Sequence, residues 1–517
     1  MGIPSYYKKL ITQLPTLVSP RHPDGAISWL FMDFNCLIYH CLPRAPAYPC
    51  EDWESQFLDC IVSYARKVIR DVSPTIGVVI AIDGVVPMAK MRQQRLRRFK
   101  SVWMKQHPEL EEAPLGPPGP KWDTNAITPG TVFMGKLRVA LEQMIERHGK
   151  NSWILSSSDQ PGEGEHKIMA EWRKGTYQGN FAVYGLDADL IVLSLIGQTT
   201  LKNRIWLFRE EIDKGKMVYD VTGEEKFEWF SIHTLAEWLT QSAPDKDLFL
   251  MNYCFAMSVL GNDFLPSSLG LKMRDDGHAE LLDQLQKLLS RGQYLIDADG
   301  AISKEGLLAF FQIFAVGEAD RVGKYIFKKR MMARRGDTRD LPMGHSDWPL
   351  TEIVEEAILD VHDRAKLAQN WQTQYQFHFF PAWRTKQSRD SICDSYLYGI
   401  QWIWAYYTGA PVCYNWYYPH ALPPLWEWLT VHLPTGLPAF PNQILFQAAD
   451  IRPVQQLALV LPLESWSLIP PCQEKQFATK APWFFPKSFE FESVGKRFFW
   501  ECEAQIPIPS LVELTSL

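Results

Sequence analysis

The 517-residue sequence lacks several features that would assign its class directly. Its nine cysteines include no CxxC pair and no cysteine and histidine spacing typical of zinc ligands. The start MGIPSYYKKL has no apolar signal segment, and runs such as IGVVIAIDGVV are too short to span a membrane. We therefore expect a soluble protein of a reducing compartment with no membrane partner. This compartment is the cytoplasm, or the nucleus if KKRMMARR at residues 328–335 is a localisation signal.

An overall excess of positive charge is also missing, because the formal net charge is −6. The field of the whole chain repels phosphate, so any binding of nucleic acid requires a local basic patch. One patch follows Asp83, where Lys90, Gln94, Arg97 and Arg98 have the i, i+4, i+7, i+8 spacing of one helix face. Three cations and an amide on one face are typical of a pocket for a terminal phosphate. A solvated helix face is the alternative, which the position beside Asp83 disfavours.

The hydrophobic pattern predicts an α/β fold. From residue 26 to about 195, apolar runs of strand length alternate with segments of helical period, as in a parallel or mixed central sheet flanked by helices. The runs are AISWLFMDF, TIGVVIAID, SWILSS and FAVYGLD. The segment EEAPLGPPGPKWD at residues 111–123 is rich in proline and glycine and is predicted to be a surface loop.

Three regions are expected along the chain. Residues 1–270 hold the α/β core, residues 271–390 form a helical connecting region, and residues 391–517, dense in aromatics and prolines, pack on the core. In the connecting region, helices are predicted in HAELLDQLQKLLSRG and TEIVEEAILDVHDRAKLAQNW, separated by a basic, glycine-containing segment at residues 328–340. The last region is expected to contain short strands, as in RFFWECEAQIPI.

Acidic residues stand at the carboxyl ends of the predicted strands. In a parallel sheet these ends share one edge, and ligands bind outside it. A single acid at a strand end is more often a turn or helix-capping residue than a ligand. No such account explains why five separate segments all deliver acid to the same edge, so we expect these side chains to converge. They are Asp33, Asp83, Glu163, Glu165, Asp187, Asp189 and Asp263.

Converging carboxylates imply metal. Seven of them without cations would repel one another and raise their pKa values, so a shared site requires divalent ions. Ligands that are all oxygen favour Mg²⁺ or Mn²⁺ over zinc. Two such ions can activate a water and stabilise the leaving oxygen of a phosphodiester. We therefore expect a phosphate-bearing chain beside Asp83, with two metals on the acids and the basic helix face on a phosphate.

Several motifs resemble the XRN family of 5′→3′ exoribonucleases over nearly the whole chain. They are MGIPSYYK, FMDFN, IDGVVPMAKMRQQRLRRF, ITPGTVFM, PGEGEHKIM, YGLDADLIVL and GNDFLP, followed by QWIWAYYTGAPVCYNWYYPHALPP and PVQQLALVLP. The resemblance implies a compact member limited to the catalytic region. Residues 1–270 would be its nuclease domain, with a core like that of flap nucleases, and residues 391–517 its second region.

The resemblance also implies roles for individual residues. The seven acids would be the catalytic metal site, and Lys90, Gln94, Arg97 and Arg98 would bind the 5′-monophosphate of RNA. In the family, a histidine and a tryptophan stack on the first bases. The tryptophan would be Trp416, but the histidine position holds Tyr39, with His40 next to it. A tyrosine still stacks on bases, so the grip on the substrate would be altered rather than lost.

The predicted function is processive 5′→3′ degradation of single-stranded RNA with a 5′-monophosphate, by two-metal-ion hydrolysis. The protein would act as a monomer, with decapping or RNA-decay proteins as possible partners. One alternative is a DNA nuclease of the flap endonuclease class, although GNDFLPSSLGL lacks the glycine-rich helical hairpin that such enzymes use on duplex DNA. The other is a catalytically inactive RNA-binding scaffold, against which all seven acids are present.

Overall fold

The structure is a computed structural model. It describes residues 3, 5–107, 121–149, 152–213, 216–241, 243–335, 345, 347–439 and 446–516. The predicted surface loop at residues 111–123 lies outside this part of the chain except for its last three residues.

A seven-stranded mixed sheet forms the centre of the fold, in the order β1-β9-β6-β5-β2-β3-β4. The four strands predicted from the sequence are neighbours in it, and all pair in parallel, which confirms the predicted fold class. Strand β6 adds a further parallel strand, and β9 and β1 extend this edge antiparallel. The remaining strands form two short hairpins. The described strands are β1 (Val18–Ser19), β2 (Ile27–Asp33), β3 (Gly77–Ala81), β4 (Ile154–Ser156), β5 (Asn180–Tyr184), β6 (Ile205–Glu210), β7 (Ile212–Asp213), β8 (Lys216–Met217), β9 (Phe227–Ser231), β10 (Phe491–Glu492) and β11 (Glu503–Ala504).

Helices cover both faces of the sheet and make up most of the chain after it. The described helices are α1 (Tyr6–Gln13), α2 (Asn35–Cys41), α3 (Trp53–Val72), α4 (Met88–Gln106), α5 (Val132–His148), α6 (Gly164–Arg173), α7 (Asp189–Leu201), α8 (Ile232–Leu239), α9 (Lys246–Met257), α10 (Gly277–Ser290), α11 (Lys304–Ala315), α12 (Glu318–Arg334), α13 (Trp371–Phe379), α14 (Lys386–Thr408), α15 (Trp426–His432), α16 (Pro453–Val460), α17 (Phe477–Lys480) and α18 (Leu511–Ser516). Within the described residues, none of them is long and apolar enough to cross a membrane.

The central strands are apolar on both faces, as buried parallel strands are. In β2, Leu30 and Met32 face the core that contains α2, α3 and α5, whereas Phe31 between them faces the opposite core. That second core is continuous from Ile3 to Leu514. The C-terminal region thus packs on the α/β core, and the two share one hydrophobic interior.

One helix predicted in the connecting region is confirmed and one is wrong. The segment HAELLDQLQKLLSRG contains α10, but TEIVEEAILDVHDRAKLAQNW forms only a 3₁₀ turn before α13 begins at Trp371. Between them, the carboxylate of Asp360 accepts hydrogen bonds from the backbone N–H groups of His362 and Asp363. Such turns offer the backbone an alternative to helical hydrogen bonds, so they override the helical period of the sequence.

The predicted break at residues 328–340 also differs from the structure. Helix α12 continues through KKRMMARR to Arg334, and residues 336–340 lie outside the described part. Its basic side chains have acidic partners: Lys329 pairs with Glu355 at 2.8 Å, and Arg330 pairs with Glu356 at 2.8 Å. The segment is therefore a packed helix rather than a basic loop.

Candidate active site

The carboxyl ends of β2, β3 and β5 carry the predicted acids into one place. Asp33 is the last residue of β2, Asp83 follows β3 by two residues, and Asp187 follows β5 by three. Because β5, β2 and β3 are adjacent strands, these ends lie side by side. Glu163 and Glu165 come from the start of α6, Asp189 begins α7, and Asp263 lies in the loop after α9.

All seven acids come together in the structure. Carboxylate oxygens of Asp33, Glu165 and Asp187 lie within 4.8 Å of one another. Asp33 is also close enough to Asp83 and Glu163, and Asp189 to Asp263, for the carboxylates to repel each other. Their convergence agrees with the placement at strand ends, whereas their role as metal ligands stays a prediction.

Burial and mutual repulsion make this cluster electrostatically unfavourable without a cation. Burial, followed by the charges of Asp83 and Asp187, raises the pKa of Asp33 well above its ordinary value. Burial, followed by Asp263 and Asp187, raises the pKa of Asp189 to about 7. Carboxyl groups in this state gain from a bound divalent ion, which neutralises several charges at once.

Lys90 is the cation that the structure places in the cluster. Its Nζ lies 2.6 Å from Glu163 Oε2 and 2.7 Å from Asp263 Oδ2. Burial alone would lower the pKa of Lys90, but the carboxylates of Asp263 and Glu163 raise it well above its ordinary value. The sequence placed Lys90 with the phosphate-binding residues. Its ammonium bridges two acids, because the first turn of α4 lies beside their carboxylates, and its role at the phosphate stays a prediction.

Neutral groups that the sequence analysis missed orient two of the acids. Asn35 Nδ2 donates to Asp83 Oδ2 at 2.9 Å, and the backbone N–H of Gly164 donates to Asp83 Oδ1 at 2.7 Å. Tyr406 Oη donates to Glu163 Oε1 at 2.9 Å. Asn35 stands in the motif FMDFN and could have been noticed there. Tyr406 could not, because it is brought to Glu163 by tertiary packing of α14.

The glycine of the motif PGEGEH is required by close packing at the start of α6. A Cβ atom on Gly164 would lie 2.5 Å from Asp33 Oδ1, closer than real Cβ contacts. Only glycine allows the helix to begin against this carboxylate, with Glu163 before it and Glu165 after it. The spacing of the two glutamates thus follows from the approach of α6 to β2.

His166 offers a nitrogen atom as a further metal ligand, which the sequence analysis missed. Ligand atoms of Glu163, Glu165 and His166 lie within 4.8 Å of one another. The imidazole packs on the Tyr406 ring with 3.7 Å between centroids, and burial lowers its pKa well below the ordinary value. His166 is therefore a neutral imidazole, the form in which histidine binds metal.

The remaining residues of the predicted phosphate pocket lie on α4. Arg98 is buried, and its Nη1 has no hydrogen-bond partner among the described residues. Burial lowers the pKa of Arg98 to about 10. Gln94 is also buried, and its Oε1 accepts a hydrogen bond from Gln456 Nε2 at 3.3 Å. Arg97 lies one residue before Arg98 on the same helix.

The two predicted stacking residues have different surroundings. Tyr39 on α2 is 42% exposed and lies within electrostatic range of Arg98. Trp416 packs against Trp402, with 5.1 Å between ring centroids, and Trp402 stacks on Tyr406. Each ring is thus near a different part of the predicted site. Their joint action on RNA bases stays a prediction.

His40, next to Tyr39, does not share its surface. Its Nε2 lies 3.6 Å from Glu210 Oε1 and 3.5 Å from Glu225 Oε1, with the side chain buried. Its ring packs against Tyr64 at 4.7 Å between centroids. Because His40 points into this cluster, it cannot replace the histidine that the family resemblance places at position 39.

The raised pKa values predict how stability depends on pH and metal. The pKa of Asp189 is higher in the folded chain than in the unfolded chain, where it is near 3.8, so the folded chain keeps this proton up to a higher pH. The metal-free protein should therefore lose stability as the pH rises through about 7. Mg²⁺ should then raise the melting temperature more at pH 8 than at pH 6, because fewer protons compete for the carboxylates. Thermal unfolding in Mg²⁺ and in chelator at both pH values tests this, and an equal gain at both would contradict it.

Comparisons with known proteins agree with the predicted family and fold class. The family model described as XRN 5′-3′ exonuclease N-terminus matches residues 1–211, and that of the Xrn1 helical domain matches residues 351–514. Human 5′-3′ exoribonuclease 1 is 26% identical over 594 residues, with 98% of this chain and 33% of the relative covered. The 5′-3′ exoribonuclease 2 of Saccharomyces cerevisiae is 29% identical over 438 residues, with 70% and 43% covered. That of Candida albicans is 24% identical over 692 residues, with 97% and 70% covered. The chain thus spans about a third of the human relative's length.

Proposed function

The chain belongs to the XRN family of 5′→3′ exoribonucleases, and from that premise we propose that it degrades RNA from a 5′-monophosphate end. It would proceed processively and release nucleoside 5′-monophosphates. The observation that supports this most strongly is the gathering of seven carboxylates at one sheet edge, next to a helix whose buried Arg98 retains an unpaired donor. The proposed substrate is single-stranded RNA, and the proposed active form is the monomer.

Divalent ions fit the residues that are present. The donors are buried carboxylates with raised pKa values, and Lys90 already shows that a cation is favoured among them. Asp33, Glu165 and Asp187 would hold one ion, and the other acids of the cluster would complete a site for two. Bound Mg²⁺ or Mn²⁺ supplies Lewis-acid activation of water and stabilises negative charge on the reacting phosphate.

The protein's own groups hold this site in shape. Asn35 and the Gly164 N–H fix both oxygens of Asp83, and Tyr406 fixes Glu163. Lys90 neutralises part of the charge of Glu163 and Asp263. Since these partners are in place before substrate binds, little reorganisation is needed during the reaction.

The 5′ end would be recognised beside the acids. The terminal phosphate would be bound by Lys90, Gln94, Arg97 and Arg98. The unpaired Nη1 of Arg98 is the donor that awaits an acceptor. The closed surroundings of this side chain would exclude a cap or a triphosphate by size. Stacking on Tyr39 and Trp416 would then allow the strand to advance one base at a time.

Replacing Arg98 with alanine is expected to remove most of the preference for a 5′-monophosphate. The loss of a charged hydrogen-bond donor should lower kcat/KM for this substrate on the order of 100-fold. Activity on 5′-hydroxyl RNA should change little, because that substrate lacks the group that Arg98 binds. Competition between the two RNAs measures the ratio. The matched control is Arg147→Ala, at an exposed arginine of α5. An unchanged ratio in Arg98→Ala would contradict this role.

The proposed location is the cytoplasm, with decapping or RNA-decay proteins as possible partners. The ion pairs of Lys329 and Arg330 in α12 support this, since these two residues belong to KKRMMARR, the segment that resembles a nuclear localisation signal. Imaging of the tagged protein in cells tests the location, and nuclear accumulation would contradict it.

A further inference from the structure

A cavity of about 300 Å³ lies between α6 and the segment that follows α14, and we call it the α6 cavity. Two of its lining residues, His166 and Tyr406, also contact the acidic cluster. His166 Nε2 lies 3.8 Å from Glu165 Oε1, and Tyr406 Oη donates a hydrogen bond to Glu163 Oε1 at 2.9 Å. A single layer of side chains therefore separates the α6 cavity from two of the predicted metal ligands.

The lining of the α6 cavity carries positive charge. Among the described residues that line it, Lys167 and Arg173 are cations and none is an acid. Lys167 is buried, and its Nζ donates to the backbone oxygens of Ile82 at 2.6 Å and of Ser157 at 2.8 Å. An ammonium group has three donors, so one N–H remains after these two bonds. The charge of Asp83 compensates the Lys167 ammonium in part.

Arg173, the last residue of α6, is exposed at the rim of the α6 cavity. Within the described part of the chain it makes no hydrogen bond and no ion pair. Its guanidinium lies against the backbone of Gly409, where a Cβ atom would overlap it. Gly409 also has a φ of +82°, which other residues rarely adopt. Close packing thus holds the guanidinium at the cavity while its N–H donors remain available.

The size and chemistry of the α6 cavity suit a mononucleotide. A volume of about 300 Å³ is at the lower end of the range for small-molecule sites, which are mostly apolar with a few polar groups. Pro411, Val412 and Tyr414 supply apolar and aromatic walls. The guanidinium of Arg173 offers paired N–H donors that match a phosphate, with Lys167 as a second cation. A phosphate bound to these cations would leave the sugar and the base to the apolar walls.

We propose that the α6 cavity binds a nucleoside 5′-monophosphate, whose phosphate is held by Arg173 and Lys167. The inference rests on the proposed function, which makes this molecule the product released at the neighbouring acids. The site differs from the predicted pocket for the 5′ end of RNA, because the residues of that pocket lie on α4 and no residue of α4 lines the α6 cavity. A mononucleotide in the cavity and the end of an RNA strand can therefore bind at the same time.

A ligand in the α6 cavity would affect the acids through the two residues that contact both. It would lie against His166 and Tyr406, which in turn contact Glu165 and Glu163. Because Tyr406 orients Glu163, a shift of its ring would disturb the arrangement of the carboxylates. Accumulated product should therefore lower kcat even when RNA is saturating.

The first test is binding of AMP to the full chain in chelator, with a saturating 5′-monophosphorylated RNA that fills the predicted pocket on α4. One AMP should still bind. Arg173→Met should weaken this binding about 10-fold or more, as expected for the loss of a charged hydrogen-bond donor. Lys174→Met removes the same charge from the next residue, which does not line the cavity, and should bind AMP as the wild type does. Displacement of all AMP by RNA, or equal affinity of Arg173→Met and wild type, would overturn the proposal.

Thermal unfolding separates a binding arginine from a structural one. With RNA present throughout, AMP should raise the melting temperature of the wild type and of Lys174→Met, but not that of Arg173→Met. Without AMP, Arg173→Met should melt as the wild type does. Ala170→Phe, at an exposed residue of α6 that lines the cavity, adds bulk without changing the charge and should also remove the effect of AMP. Full stabilisation of both variants by AMP would overturn the proposal.

The chemistry of the ligand is tested with the fragments of AMP. Adenosine and inorganic phosphate should each bind more weakly than AMP to the RNA-saturated protein, because each fills only one part of the cavity. Inorganic phosphate that binds as tightly as AMP would assign the α6 cavity to a free anion and overturn the mononucleotide assignment.

Degradation of RNA in Mg²⁺ distinguishes this inference from the proposed function. At saturating RNA, added AMP should lower kcat of the wild type, and Arg173→Met should resist this inhibition. Equal inhibition of both would contradict the site. A wild type that degrades RNA but binds no AMP beside it would contradict only the α6 cavity. A wild type that binds AMP through Arg173 but degrades no RNA would contradict the proposed function and make the ligand a free nucleotide of the same chemistry.

Discussion

Replacing Asp187 with alanine is expected to abolish RNA cleavage while RNA binding remains. Asp187 contributes one of three carboxylates whose oxygens lie within 4.8 Å of one another at the ends of β2, β5 and the start of α6. Without it, the remaining acids cannot complete the proposed metal site, and kcat should fall by about 10⁴-fold, as when a member of a catalytic unit is removed. Release of mononucleotides from labelled RNA in Mg²⁺ measures the effect.

Stability and binding distinguish this result from misfolding. Removing one of several repelling carboxylates should leave the melting temperature in chelator unchanged or higher. RNA affinity in chelator should also be retained, since the predicted phosphate contacts come from other residues. Asp299, an exposed acid before α11, provides the control Asp299→Ala. Normal turnover by Asp187→Ala would contradict the assignment of Asp187 as a metal ligand.

Replacing Lys90 with methionine is expected to make the fold depend on metal. The Lys90 ammonium is bonded to both Glu163 and Asp263, and its loss leaves buried carboxylates without their counter-ion. Breaking a buried pair from one side costs about 3 kcal/mol or more. The melting temperature in chelator should therefore fall by several degrees, and Mg²⁺ should restore much of the loss by replacing the missing positive charge.

A double variant tests the cause of this loss. If repulsion among the acids destabilises Lys90→Met, then adding Asp187→Ala should recover part of its stability, because one repelling charge is gone. Lys174, exposed at the end of α6, gives the control Lys174→Met. Equal melting temperatures of Lys90→Met and wild type in chelator would show that Lys90 does not balance the cluster.

The acids could be predicted from sequence because their position depends on local features. Asp33 and Asp83 stand at or just after the ends of apolar runs, and the parallel sheet brings these ends together. The pattern also placed Gln94 and Arg98 on one helix. It did not reveal that Lys90 bonds two of the acids, because that contact depends on how α4 packs against Glu163 and Asp263.

What the sequence could not supply comes from tertiary contacts or from local turns. Tyr406 reaches Glu163 across 243 positions, a relation that no spacing reveals. The segment 351–371 has helical periodicity, yet the side chain of Asp360 holds the backbone of His362 and Asp363 in a turn. Strand β9 was not predicted because it pairs antiparallel with β6 and the edge strand β1, after the regular alternation of strands and helices has ended.

The most direct test of the proposed activity compares three RNAs that differ only in the 5′ end: a monophosphate, a hydroxyl or a triphosphate. Each is incubated with the protein in Mg²⁺, with and without chelator, and the products are separated by size. We predict that nucleoside 5′-monophosphates are released from the first RNA far faster than from the other two, and that none are released in chelator. Internal cuts, or equal attack on all three, would contradict recognition of the 5′-monophosphate and favour an endonuclease. The absence of cleavage in both Mg²⁺ and Mn²⁺ would contradict any nuclease activity of the protein and favour an RNA-binding scaffold.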